Sequence, residues 1–458
     1  MRLQTYQRAS LSQAPAGPAG QPGAELNLRS GHRDTTLPLA LGLVACLAGG
    51  ALLFGGTEPL SRAGVESVVF LLFGCTLWSR SARDSQAAWP WQGAALLLAY
   101  ISVEVAWVRP AGQGAEEEVL RLLASLAVFY VALFVSRRAA SLRVLVLGLV
   151  ALGLFEALYG LVQYTSGWQQ IFSYKKVFYL AQASGTYINP NHFAGLLEMI
   201  VPLPLALALE RLERLGRGPH SRARYHSPTS EGVAALVFFL FSALLLLAAI
   251  LFSRSRAGLA CASVTLAALA AWVKVGWQRS TAALATAWML AGSLLFGLWL
   301  GLGPVVSRYG ELGRDSQGRI GVWRDTLALV RMHPVLGWGP GTFADAFPRV
   351  QSVLLNRTVD HAHNDYLEFA AEWGTLGAVL LFGTVFWVLA RAAYSCLHLR
   401  YRENRFVQLG CCAGAWALLL HSTVDFNLQI PGNTLVFAAL LGMAYAAVYR
   451  VSGNTGDR

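Results

Sequence analysis

Apolar residues fall along this chain in long runs, separated by shorter polar stretches. The runs are Leu37–Phe54, Ala63–Trp78, Trp91–Val108, Val119–Val135, Leu142–Tyr164, His192–Leu209, Val233–Phe252, Gly258–Val275, Ala282–Leu302, Tyr366–Leu389, Phe406–Leu420 and Asn433–Tyr449. A helix crosses the hydrocarbon core with about 20 residues, and about 17 is the short limit. Backbone groups in lipid must bond within their own segment, so each run predicts a helix; the second and eleventh carry the weakest pattern. The pattern predicts an all-α membrane protein with about 12 transmembrane helices, nine within residues 37–302 and three within 363–449. Between them, residues 303–362 form one long loop, partly helical. Residues 1–36 are polar and rich in Gly, Pro, Ala and Ser, which predicts a disordered tail. They lack the apolar stretch of a cleavable signal, so the first span is expected to serve as the uncleaved targeting element. Residues 450–458 form a second short tail.

Composition agrees with the runs. The chain is 55% hydrophobic and 13% charged, against about 25% charged in soluble domains. A net charge of +11 would suggest nucleic acid in a soluble protein, but no basic stripe or recognition module accompanies it, and no nucleic acid is expected. Arg and Lys concentrate instead in the tails and in alternate loops, as at Arg211, Arg214, Arg217, Arg222 and Arg224. By the positive-inside rule this bias predicts that both termini are cytoplasmic and the 303–362 loop lies outside. The six cysteines, Cys46, Cys75, Cys261, Cys396, Cys411 and Cys412, sit in or beside apolar runs without metal-type spacing and read as small core residues.

Two outer features break the pattern. Ser253-Arg254-Ser255-Arg256-Ala257 is a tight link with two cations at the bilayer edge, on the side usually poor in arginine. The 303–362 loop is far longer than the usual 2–8 residues between helices. Within it Ile320, Trp323, Leu327 and Val330 repeat as one apolar helix face, with Arg319 and Arg324 off that face. The helix is expected to stop at His333-Pro334, and Gly337-Trp338-Gly339-Pro340-Gly341 to turn. Planar guanidinium groups suit phosphate, so these arginines are either solvated charges on an interfacial helix or an anion site.

Asp360-His361-Ala362-His363-Asn364-Asp365 opens the tenth span, and Asp365, Glu368 and Glu372 are expected on one helix face with His363 roughly opposite. The spacing matches no specific metal site, and an acidic first turn also opposes the helix dipole. His363 suits a proton acceptor. Asn189-Pro190-Asn191 reads first as a turn and helix start, and Pro202 and Pro204 predict a kink in the helix that follows.

Together these pieces resemble the O-antigen ligase and polymerase superfamily of bacterial membrane glycosyltransferases. The resemblance rests on Gly185-Thr186-Tyr187-x-Asn189-Pro190-Asn191-His192, Ser255-Arg256-Ala257-Gly258, Gly318-Arg319 followed by Trp323, His333-Pro334-x-x-Gly337, His363-Asn364-Asp365-Tyr366-Leu367, and His421-Ser422-x-x-Asp425-Phe426. It covers about Gly185 to the C-terminus; the first five spans match in hydropathy only. It implies an enzyme of the bacterial inner membrane working at the periplasmic face. The donor would be a glycan on undecaprenyl diphosphate, and the acceptor a hydroxyl of lipid A core or of a growing polysaccharide. The transfer would be metal-independent and inverting, with no cofactor. By the same resemblance Arg256 and Arg319 grip the diphosphate and His363 is the catalytic base. Arg254, Arg324, Asn189, Asn191, Asp365 and Asp425 are the expected substrate-binding residues. A secondary transporter of the 12-helix type is the alternative that the hydropathy alone would fit.

Overall fold

Asn189 and Pro190 start the helix around which the others pack. In the computed structural model, which describes residues 35–79, 95, 98–100, 102, 114–215, 230–277, 312–352, 358–398 and 404–452, the Asn189 side chain accepts from Asn191 N and Pro190 occupies the first helical position. Both choices suit a helix start: the side-chain oxygen satisfies an orphan N–H, and proline has no N–H to lose. The chain forms helices α1 (Thr36–Leu52), α2 (Pro59–Trp78), α3 (Gly114–Val135) and α4 (Ala139–Ser166), then a small hairpin of β1 (Gln170–Ile171) and β2 (Tyr174–Lys175). It continues through α5 (Pro190–Ile200), α6 (Pro202–Leu215), α7 (Ser230–Phe252), α8 (Arg256–Trp277), α9 (Leu312–Met332), α10 (Phe343–Ala346), α11 (Asp365–Glu372), α12 (Gly374–His398), α13 (Arg405–His421) and α14 (Pro431–Ser452). The protein is an all-α integral membrane protein. Among the described residues eight segments are long and apolar enough to cross a bilayer, α5 and α6 counting as one, and α1 is a shorter apolar helix. The runs expected at Trp91–Val108 and Ala282–Leu302, and the tail up to Asp34, lie largely or wholly outside the described residues.

The interruption between α5 and α6 falls at Val201, just before Pro202, where the sequence predicts a kink. The segment Pro190–Leu215 is wholly buried in its most apolar window. α13 lies against both halves of it. Gly410 and Gly414 allow this: a Cβ at Gly414 would overlap the carbonyl of Met199, and one at Gly410 would come within 2.9 Å of the Pro202 carbonyl. Small residues four apart let two backbones approach closely in a membrane, where packing rather than water drives association. α14 packs on α3, α12 and α13, and α4 and α7 close around the other side.

The described part of the long loop is folded. Val322 and Leu329 of α9 bury against Phe343, Phe347, Ala362 and Ala371 as a core of their own. This corrects the expected apolar face: Ile320 and Leu327 are exposed, and Val322, Asp325, Thr326 and Leu329 point inward. Counting apolar residues missed it because Asp325 and Thr326 complete the inward stripe. Asp325 accepts from Ser352 N at 2.7 Å, and Thr326 bonds back to Val322 O. The helix does stop at Met332, before His333-Pro334.

The tenth span also begins later than expected, at Gly374 rather than Tyr366. Gly374 has φ +67, a left-handed conformation that ends α11 and starts a separate helix. The loop is laced into this break: Trp338 N bonds Ala371 O, Gly339 N bonds Glu372 O and Thr375 N bonds Pro334 O, each at 2.9 Å. A Cβ at Gly374 would overlap the carbonyl of Val335. Gly374→Ala is therefore expected to destabilise the protein by about 1–3 kcal/mol from overpacking alone. Gly383→Ala, in the same helix with nothing within 4 Å, should not. Melting temperatures of the two purified variants in one detergent check this.

Candidate active site

The turn after α13, residues 421–426, is where the sequence-predicted residues meet. Its Asp425 has no exposed side-chain surface, and both oxygens are engaged. Oδ1 lies 3.1 Å from His363 Nδ1 and accepts from Phe426 N at 3.0 Å. Oδ2 accepts from Asn191 Nδ2 at 2.7 Å and lies 3.8 Å from Arg319 Nη2. Arg319 also donates from Nη1 to Val424 O at 2.7 Å. Three distant segments are thus fastened to one turn: the first turn of α5, the first half of α9, and the bend that leads into α11. Asn364 ties the same turn again, donating to Thr423 O at 2.9 Å, while its oxygen caps α11 through Leu367 N.

His363 is not on the helix, as expected, but just before it, with φ +52. A left-handed non-glycine residue is uncommon and persists where its surroundings fix it. Here Trp323 Nε1 donates to the His363 carbonyl at 3.2 Å. Arg319 and Trp323, four residues apart, therefore share a helix face toward the turn, whereas the sequence pattern separates them.

Electrostatics fix the roles of the two partners. Burial pushes the Asp425 carboxyl up, but the hydrogen bond from His363 and the neighbouring His363 ring and Arg319 guanidinium outweigh it and hold Asp425 well below the usual carboxylate range. A carboxylate can only accept, so His363 Nδ1 carries the hydrogen, and in the imidazole form the lone pair lies at Nε2. The His363 side chain keeps 30% of its surface exposed, so that lone pair can reach a substrate. An ionised carboxylate orienting a histidine this way makes a general base.

The other expected residues divide. Asn191 joins the Asp425 hub, whereas Asn189 caps α5. Arg256 is the first residue of α8, and Gly258 backs onto Ala194, one turn along from Asn191, which sets the Ser255–Gly258 turn beside α5. Arg254, at φ +56, lies over the Tyr164 ring at 5.8 Å. Arg324 is largely exposed and bonds Ser352 Oγ at 2.6 Å. Asp365, expected at the substrate, is fully buried and accepts from Leu428 N at 3.0 Å; burial pushes its carboxyl up to about 8. The acidic stripe is likewise occupied by the protein: Glu368 accepts from Ala362 N and Glu372 from Phe343 N. Among the described residues no group of three or more His, Cys, Asp or Glu is arranged to hold a metal.

Sequence reasoning missed two pairings. Glu198 and His421 form a pair at 3.0 Å, both without exposed surface, one turn behind Asp425. His361 and Glu368 pair at 2.7 Å. In both pairs the partners were visible as residue types, but only the fold brings them together.

Comparison with family models matches residues 241–382 to the family described as O-antigen ligase. That stretch holds Arg254, Arg256, Arg319, Arg324, His363 and Asp365, while Asn189, Asn191 and Asp425 lie outside it. Comparison with curated proteins gives no match.

Proposed function

We propose that this chain, a member of the O-antigen ligase/polymerase superfamily and so an O-antigen ligase-type membrane glycosyltransferase, transfers a glycan from undecaprenyl diphosphate to an acceptor hydroxyl. The observation that carries this reading is the His363–Asp425 pair beside the exposed edge of Arg319. In the transfer the acceptor oxygen forms a bond to the sugar's anomeric carbon. The bond from that carbon to the phosphate oxygen breaks, and His363 Nε2 takes the hydroxyl proton. A hydroxyl is a poor nucleophile until a base does this. Arg319 and Arg256 stabilise the charge that grows on the departing diphosphate. Attack opposite the leaving group inverts the anomeric centre. The positive-inside bias of the loops supports placing this turn at the periplasmic face, with both termini in the cytoplasm. The acceptor is lipid A core in a ligase and the growing polysaccharide in a polymerase.

Reconstitution with a polyprenyl-diphosphate oligosaccharide tests the proposal. One-step transfer to lipid A core identifies a ligase; products lengthened by whole repeat units identify a polymerase. Movement of the lipid-linked or free sugar across the vesicle without any transfer would favour the transporter alternative instead. Because Asp365, Glu368 and Glu372 each accept from a backbone N–H of the protein, a chelator is expected to leave the transfer rate unchanged. Loss of activity on chelation, restored by one divalent ion, would reassign these carboxylates.

A further inference from the structure

Two half-buried histidines flank the Phe426 ring, and only one has a role above. His361 stacks on that ring, with centroids 4.2 Å apart and planes 17° from parallel. His363 meets the same ring edge-on at 4.9 Å. Each imidazole is held at Nδ1 by a buried carboxylate, His361 by Glu368 and His363 by Asp425. The second Glu368 oxygen accepts from Ala362 N at 2.7 Å, so the carboxylate cannot turn away without losing a backbone bond. Both carboxylates are buried, while His361 keeps 33% of its side-chain surface. With Nδ1 engaged, Nε2 is the nitrogen through which His361 can meet a ligand.

The two carboxylates have different company. Asp425 is met by Arg319 and Asn191. Glu368 lies near Asp365 and Glu372 of its own helix and Glu118 of α3. The groups facing His361 are Glu368 and Asp365 from α11, Arg121 and Glu118 from α3, and His192 from α5; the Phe426 ring separates it from the His363–Asp425 pair. Arg121 is itself paired with Glu118 and with Gln429. The Glu368 carboxylate hydrogen-bonded to Nδ1 favours the imidazolium. Burial lowers the His361 proton affinity, but Glu368, by charge and hydrogen bond, raises it above the ordinary histidine value.

We infer that His361 is a second acid–base residue of the site, its Nε2–H donating to a phosphate oxygen of the departing lipid diphosphate while His363 Nε2 receives the acceptor's proton. This rests on the glycan transfer proposed above. As the carbon–oxygen bond to the donor breaks, its electron pair goes to the diphosphate oxygen, and the His361 proton is shared with that new charge. The bond that forms is from the acceptor oxygen to the anomeric carbon. Nothing is oxidised or reduced, and no further reactant is needed. Two carboxylate–histidine pairs in unlike surroundings thereby divide acid from base, as sites with paired titratable groups do.

The pH dependence of kcat/KM tests it, with a polyprenyl-diphosphate oligosaccharide as donor and folding checked by melting. The wild-type profile is expected to show a falling limb at high pH, where the His361 proton is lost. H361N should lose the falling limb and about 100-fold in maximal rate. E368Q removes the charge that holds the imidazolium at similar side-chain size, and should move the falling limb to lower pH. A falling limb that survives in H361N, or that stays in place in E368Q, overturns the assignment and leaves His361 a packing residue on Phe426. H363A at the wild-type rate would instead overturn the underlying transfer reading, whatever His361 does.

Discussion

Asp425→Asn is expected to lower glycan transfer by about 10⁴-fold, the scale of losing the carboxylate that sets a catalytic histidine's tautomer, while leaving donor binding in place. Asp425 accepts three hydrogen bonds in the wild type, from His363 Nδ1–H, Phe426 N–H and Asn191 Nδ2–H, and is ion-paired with Arg319 at 3.8 Å. An amide has one accepting oxygen. If that oxygen stays with Asn191 and Arg319, the amide N–H faces His363 Nδ1 and turns it into an acceptor. The hydrogen then sits on Nε2, and the base has no lone pair to offer. Asn191→Ala removes only one hydrogen bond to the carboxylate and should cost about tenfold. Single-turnover transfer, with a lipid-binding assay beside it, measures both. A wild-type rate in folded Asp425→Asn would remove the base mechanism.

Arg319→Ala is expected to cost 100- to 1000-fold in rate, about 2.7–4 kcal/mol, the usual loss for one donor that meets charge in the transition state. Arg319→Lys should do nearly as much harm. The guanidinium already spends one N–H on Val424 O and lies beside Asp425, so the proposed clamp would draw on its remaining N–H groups; an ammonium has too few and in the wrong plane. The same pair of substitutions at Arg256 should behave alike. His363→Ala should slow transfer as strongly yet leave donor-lipid binding largely intact, because a base acts on the acceptor. Arg324 and Arg254 are expected to tolerate Ala better. Arg324 is largely exposed and bonded to Ser352, and Arg254 lies over Tyr164. Wild-type transfer by both Arg319→Ala and Arg256→Ala would end the diphosphate-clamp reading.

Asn427 and Asn433 show why polar groups could sit deep in this bundle without being legible beforehand. Asn433 Nδ2 bonds the His192 carbonyl at 2.9 Å and Asn427 Oδ1 at 3.0 Å, and Tyr187 donates to Asn433 from across the core. These bonds satisfy the Asn433 amide and the Asn427 oxygen, groups that would be costly if left unpaired in a dry interior. They join residues more than 200 positions apart as well as near neighbours, and no local pattern announces the distant ones.

Hydropathy sufficed to read the described apolar runs as an all-α membrane bundle, because a bilayer demands about 20 apolar residues per helix and forces each backbone to bond within itself. Local rules also sufficed for the Asn189-Pro190 helix start, the break at Pro202 and the stop before Pro334, since capping and proline chemistry act within one turn. Only the tertiary structure decided which face of α9 turns inward. There a buried aspartate and threonine take places that hydropathy assigns to leucine and isoleucine, and their hydrogen-bond partners, Ser352 N–H for Asp325 and the Val322 carbonyl for Thr326, make those places stable. It likewise decided that Asp365 braces Leu428 and that His361 belongs with Glu368. The joining of His363, Asn191 and Arg319 on Asp425 is of the same kind. Such pairings depend on distance in space between segments far apart in the chain, and a one-dimensional pattern carries no term for that distance.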